Sequence, residues 1–283
     1  MCARVQWQFG GSGNPGFSFN KKIEKVNAMK NCRVGGKGII VALDVADMHD
    51  LRLLLSAIKD VPGITGVKVG FLLAMQDLSK VVKMIRVYLG DDVDIIYDHQ
   101  KAGNDIPDMG APFARCLGKA GVDSAILFPF TGPATQSAWM KACIDTGLEF
   151  LVGGIMTHPK FLASEGGYID DEAVLRIYDL ACVSGCRHFV VPGTKIEWVR
   201  IIREFLENKI GSGTFSLYAP GLITQGGDIS ECGKVAGNSF FPIVGRAIYE
   251  HIGIKEQRTA ATTIAGNFLT QINDREVRDE QEK

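Results

Sequence analysis

Five charged side chains stand out by type and spacing: Asp44, Lys68, Asp98, Lys101 and Asp105. Each closes, or closely follows, a short apolar run. Asp98, Lys101 and Asp105 fall within one stretch, "YDHQKAGNDIP", directly after the apolar "VDII". Lys68 lies inside "VKVG", flanked by Val67 and Val69. A lysine within a buried strand must find a counter-charge or change its protonation. Asp98 on the following run is the natural partner. Alternating acid and base limits the cost of holding each ion in a partly dry pocket. Such a set is suited to stabilising charge and moving protons. A second group has another chemistry. In "PGLITQGGD" (residues 220–228) glycines free backbone N–H groups for an anion, and Gly226 and Gly227 lead into a helix whose amino end favours negative charge. Gly245-Arg246 follows the last apolar run, where a guanidinium can grip phosphate oxygens in pairs.

These residues need a frame that brings them together. Eight nearly continuous apolar runs are spaced along the chain: residues 38–44, 64–70, 93–98, 122–129, 148–155, 186–192, 214–221 and 239–245. Runs of this kind suit strands buried on both faces of a parallel sheet. Between them lie amphipathic segments with helical i, i+3, i+4 spacing, such as "MHDLRLLLSAIKD" and "KIEWVRIIREFLEN". The pattern admits an open doubly wound sheet, but eight strand–helix repeats favour a closed (β/α)₈ barrel. The expected organisation is an amino-terminal arm with a short helix over residues 1–37, a single-domain barrel over 38–273, and a charged, frayed tail over 274–283. The short leading helix is read over "NKKIEKVNAMKN", and an extra helix, near 254–272, follows the eighth strand. In such a barrel chemistry gathers at the carboxyl ends of the strands, and the loops after strands seven and eight form the usual phosphate site. Both groups of residues fall there. A single charged residue at a strand end is most often merely solvated, so the weight rests on their coincidence.

Composition narrows the field. The chain has 283 residues, 46% hydrophobic and 22% charged, with a formal net charge of −1. Basic residues are scattered, so an electrostatic nucleic-acid or membrane binder is not expected. The seven cysteines form no CxxC and no zinc spacing. They read as free thiols in a reducing cytosol. No apolar run reaches the length of a membrane span, and "MCARVQWQFGGSGNPGFSF" lacks the apolar stretch of a secretory signal. GxGxxG occurs only at Gly11–Gly16, in "GGSGNPG", which follows no strand and reads as linker, and GxxxxGK[ST] does not occur. His49, His188 and His251 read as structural, and His99 faces away from Asp98 if the strand continues. Thr194, in "GTK", reads as a helix cap.

In order along the chain come "ALDV", "VKVG", an aspartate–lysine–aspartate cluster followed by "IP", "MTHP", "PG…QGGD" and "VGRAIY". The set resembles the orotidine 5′-phosphate decarboxylase family over about residues 38–250. The resemblance implies a cytoplasmic homodimeric barrel of pyrimidine biosynthesis. It would convert orotidine 5′-monophosphate to uridine 5′-monophosphate and carbon dioxide, with no metal or organic cofactor. Carried over by motif, Asp44 would hold ribose hydroxyls. Lys68 and Asp98 would belong to the charged network at the reacting carbon, and Lys101 would protonate that carbon. Asp105 would reach into the partner subunit's site, and Thr157 would meet the pyrimidine edge. Pro220, Gln225, Gly245 and Arg246 would line and hold the phosphate end. One departure stands out. The family's D-x-K-x-x-D is here D-x-x-K-x-x-x-D, two residues longer. Residues i and i+3 of a strand face opposite sides, so Lys101 joins Asp98 only if a bulge or loop intervenes. Met109 also stands near the place of a polar threonine that the family carries after "DIP". Two other readings fit part of the pattern. One is a related barrel enzyme that recruits magnesium to act on a phosphorylated sugar or sugar acid. The other is a phosphate-ligand binding protein without catalysis.

Overall fold

A computed structural model describes residues 29–99 and 103–281. Eight strands form in chain order: β1 (Ile39–Ala42), β2 (Ile64–Gly70), β3 (Asp94–Asp98), β4 (Ser124–Leu127), β5 (Glu149–Gly153), β6 (His188–Val190), β7 (Ser216–Ala219) and β8 (Phe240–Val244). Each pairs in parallel with the next, and β8 returns to β1 to close the barrel. The helices are α1 (Met48–Ile58), α2 (Phe71–Leu89), α3 (Gly110–Ala120), α4 (Pro133–Thr146), α5 (Asp171–Val183), α6 (Ile196–Ile210), α7 (Ile229–Ala236), α8 (Arg246–Tyr249) and α9 (Ile254–Gln281). All eight apolar runs of the sequence therefore become strands of one closed sheet.

Strand parity divides the core in two. Val41, Val67, Val69, Ile95, Ala125, Val152, Phe189, Leu217 and Val244 pack outward against the helices. Ile40, Ile96, Ile126, Leu151, Val190, Tyr218 and Phe241 fill the barrel. Successive side chains of a strand alternate between these two environments. Lys68, between Val67 and Val69, must therefore point inward, as must Asp94 and Asp98 on either side of Ile96.

The end of the barrel away from the βα loops is closed by residues 29–36. The Asp94 carboxylate accepts the backbone N–H groups of Lys30, Asn31 and Cys32 at 2.8, 2.8 and 2.6 Å. The Tyr218 hydroxyl donates to the Cys32 carbonyl at 2.5 Å, and Gly35 N–H donates to Ser239 Oγ at 3.0 Å. Of the leading helix expected over 20–31, residues 20–28 lie outside the described residues, and 29–31 are irregular. At the other terminus the expected frayed tail gives way to helix: α9 continues to Gln281. Once a helix is nucleated by packing, each further residue adds a hydrogen bond, and glutamate, arginine and glutamine extend it readily. No helix among the described residues is long and apolar enough to cross a membrane.

Candidate active site

The first three strands bring their charges to one rim. Ala42 of β1 pairs in register with Lys68, and Gly70 of β2 with Asp98. Lys68 is thus one inward position deeper than Asp98, and its side chain rises toward both carboxylates. The ammonium lies 2.9 and 3.0 Å from the two oxygens of Asp44, and 3.2 Å from Asp98 Oδ2. Exposure falls from 35% for the Asp44 side chain to 10% for Asp98 and 5% for Lys68, so the cation is the deepest of the three. Burial by itself depresses the Lys68 ammonium. The attraction of Asp98, then that of Asp44, outweighs it and raises the lysine above its ordinary value. A glycine permits this approach: a Cβ on Gly70 would stand 2.4 Å from Asp44 Oδ1.

The cluster forms one wall of a cleft at the mouth of the barrel. Beside it, where β8 closes on β1, stand Gly245 and Arg246, with Pro220, Gly221, Thr224 and Gln225 of the neighbouring β7–α7 loop. Phe128, Ile155, Met156 and Thr157 complete it. Charge and polarity are therefore sorted: a carboxylate–ammonium set on β1 to β3, an apolar shelf on β4 and β5, and a glycine, glutamine and arginine set after β7 and β8. Arg246 is exposed and makes no ion pair among the described residues, which leaves its guanidinium available to an anion.

Of the residues singled out by sequence, Asp44, Lys68, Asp98, Thr157, Pro220, Gln225, Gly245 and Arg246 line this one cleft. Lys101 lies outside the described residues. Strand β3 ends at Asp98. Asp105 does not line the cleft. It is exposed and sits on a separate depression with His99, Met109 and Trp139. The loop carrying it is fastened to the neighbouring loop and helix: Asn104 accepts from Phe130 N–H at 2.8 Å, Thr135 donates to the Asp105 carbonyl at 2.9 Å, and Trp139 donates to the Ile106 carbonyl at 3.1 Å. His99 turns from Asp98 to the Tyr97 hydroxyl, as parity predicts. His188 lies inside the barrel against Glu149 and Tyr218, on the side away from the cleft.

Two expectations change. The amino end of α7 does not face the cleft as an open anion site, because Asp228 caps it and accepts from Glu231 N–H at 2.7 Å. Thr194 does not cap α6, whose cap position is Lys195. The Thr194 hydroxyl donates to the Thr157 carbonyl at 2.8 Å. Sequence reading also missed Tyr249, which lines the cleft and packs against Gly245. Burial, then the nearby Asp44 carboxylate, raises its phenol. Its place three residues after Arg246, on the same face of a helical turn, was the available signal.

Residues 37–261 match the family model described as orotidine 5′-phosphate decarboxylase / HUMPS. Among curated relatives, an orotidine 5′-phosphate decarboxylase of Methanosarcina barkeri is 29% identical over 233 residues, covering 81% of this chain and 94% of its own length. That of Pyrococcus furiosus is 29% identical over 211 residues, covering 75% and 89%. Among solved structures, the orotidine 5′-phosphate decarboxylase of Pyrococcus horikoshii superposes with a TM-score of 0.64 at 28% identity, covering 83% of this chain and 99% of that one. The Methanocaldococcus jannaschii enzyme, complexed with the inhibitor BMP, gives 0.69 at 23% identity, covering 82% and 98%, and shares the fold. The matched span contains the whole barrel and every residue of the cleft, and the chain belongs to the orotidine 5′-phosphate decarboxylase / HUMPS family.

Proposed function

We propose that this chain decarboxylates orotidine 5′-monophosphate to uridine 5′-monophosphate and carbon dioxide. The observation that carries the reading is the Asp44–Lys68–Asp98 cluster, held in one cleft with Gln225, Gly245 and Arg246. Loss of carbon dioxide leaves negative charge on a ring carbon. A fixed ammonium at that carbon stabilises the charge as it develops and then supplies the proton. In this proposal Lys101 is that donor, and Lys68 holds the two carboxylates in place. Asp98 faces the substrate carboxylate and Asp44 takes the ribose hydroxyls. Gly245 and Arg246, with Gln225, hold the phosphate, whose binding energy orients the reacting end. Thr157 meets the pyrimidine edge beside the apolar shelf. Asp105, on an exposed loop outside its own cleft, reaches the cleft of a second subunit in a homodimer. No metal or organic cofactor takes part in the reaction, which serves cytoplasmic pyrimidine biosynthesis.

The test is to add orotidine 5′-monophosphate to the purified protein in the presence of chelator and follow its ultraviolet absorbance. Conversion is expected. Lys101→Ala should lose nearly all turnover while still binding uridine 5′-monophosphate; activity close to wild type removes Lys101 from the mechanism. The family model also covers the HUMPS branch, which keeps the metal-dependent sugar-phosphate reading as the second choice. Loss of turnover on chelation favours that reading. Binding of uridine 5′-monophosphate without turnover favours a non-catalytic role.

A further inference from the structure

Arg246 stands on a support too short to hold itself. It opens α8, a single turn of four residues in which only Ile248 is buried. The Gly245 carbonyl accepts from Ile248 N–H and Tyr249 N–H at 2.8 and 3.2 Å, and the Arg246 carbonyl from Glu250 N–H at 3.1 Å. So few bonds do not offset the ordering of the residues that make them. Carbonyls at the far end of a helix lack helical donors, and Gly253, at φ +92°, then turns the chain into α9. The missing donors come from that next helix. Gln257 Nε2 donates to the His251 carbonyl at 3.1 Å and to the Tyr249 carbonyl at 3.3 Å. Both neighbours are carbonyls, so the amide nitrogen must face them. Gln257 heads the stripe that α9 packs inward, with Ala261, Ala265 and Phe268 behind it. It is 7% exposed, and its Oε1 is buried with no hydrogen-bond partner among the described residues. An aliphatic side chain in that place would leave no acceptor unpaired. What the glutamine supplies, and an aliphatic residue cannot, is the pair of bonds to the end of α8.

We infer that Gln257 is a positioning residue for the guanidinium of Arg246. It fastens the end of α8 to α9, which is itself tied to the end of α1, where Arg258 donates to the Lys59 carbonyl at 2.9 Å. With β8 before it and Gln257 after it, the turn keeps Arg246 at the rim of the cleft. An anion then meets a guanidinium whose backbone is already ordered, and binding does not bear that cost again. Gln257 does not line the cleft. Its role rests on the phosphate-binding part proposed above for Arg246.

Calorimetric titration of the full chain with inorganic phosphate, and separately with uridine 5′-monophosphate, tests the role. Gln257→Met keeps the length of the side chain but removes both donors. It should weaken both ligands by about five- to tenfold, the scale of one net hydrogen bond. Gln257→His returns a ring N–H at a similar reach and should recover most of the affinity. A merely structural glutamine would lower the melting temperature of Gln257→Met and leave both affinities within about twofold of wild type, and that result overturns the inference. Should Gln257→Met fail to fold, hydrogen exchange of the Gln257 side-chain amide in the wild-type protein gives the reading by NMR. Binding and ordering are reciprocal, so saturating phosphate should slow that exchange by about fivefold or more, and an unchanged rate overturns the inference. The two ligands separate the failures. Phosphate binding that depends on Gln257, without binding of uridine 5′-monophosphate, keeps the positioning role and sinks the nucleotide reading. Binding of uridine 5′-monophosphate that ignores Gln257 sinks the positioning role alone, and a wild-type protein that binds neither ligand overturns both.

Discussion

Strand β3 carries two buried aspartates, one at each end of the barrel, and they are held in opposite ways. Asp94 is fully buried and takes three backbone N–H donors from residues 30–32. Those donors cannot be withdrawn without unfolding the segment that closes the barrel. Asp98 keeps 10% of its side chain exposed and faces an ammonium that a second carboxylate shares. Backbone dipoles around Asp94 satisfy a charge and finish with it. A lysine between two carboxylates remains exposed to whatever enters the cleft, because adding or removing one charge there changes the field at the other two. The difference shows why burial and charge alone do not mark a functional residue. What marks it is a partner that is itself a side-chain charge, together with an open space beside it.

Exchanging charges at the two ends should separate turnover from stability. The largest effect belongs to Lys68→Met. It leaves Asp44 and Asp98 facing each other without a cation, a loss worth about 3–5 kcal/mol of stability when one partner of a buried pair is removed. Under the proposed function it also lowers turnover of orotidine 5′-monophosphate by at least about 10³-fold. Steady-state kinetics and urea unfolding measure the two losses, and turnover within tenfold of wild type removes Lys68 from the charged network. Asp94→Ala should show the reverse pattern. Three backbone donors lose their acceptor, at a cost of about 3 kcal/mol or more. kcat/KM of the molecules that remain folded should stay within about twofold. A large fall in kcat at full folding would mean that the two ends of β3 are not independent, and the contrast would fail.

The barrel and most of the cleft were legible in the sequence because both follow from local pattern. Continuous apolar runs gave the strands, reading the residues that close them gave Asp44, Lys68, Asp98 and Arg246, and the family resemblance added Gln225. Asp94 was not legible. It differs from any aspartate at a strand start only through donors more than sixty positions away, and no periodicity reports such a contact. Thr194 was misread for a related reason. Threonine before a helix is the pattern of a cap, but the nearest acceptor in space, the Thr157 carbonyl on another loop, took its proton. Asp228 was overlooked as a cap because the glycines before it drew the reading toward an open anion site, although an aspartate three residues before Glu231 is itself a capping signal. In each case a short polar side chain had two possible partners, and only the fold chose between them.

The smallest effect concerns pH and bears on the same contrast. Because its folded-state affinity for the proton is raised, Lys68 binds a proton more tightly in the native chain than in the unfolded one. The stability it contributes is therefore complete below the ordinary lysine value of 10.5 and is lost only as pH rises through the higher folded value. From pH 7 to 10 the stability difference between wild type and Lys68→Met should hold constant to within about 0.5 kcal/mol, and it should narrow only above that range. Unfolding free energies measured at half-unit steps to pH 11 provide the check. A difference that widens between pH 8 and 9 would mean that burial, not the two carboxylates, dominates at Lys68, because a depressed lysine binds fewer protons folded than unfolded and gains stability as pH rises. The lysine would then be poised to lose its proton near neutrality. The part of proton donor assigned to Lys101 would have a competitor two strand positions inside the same rim.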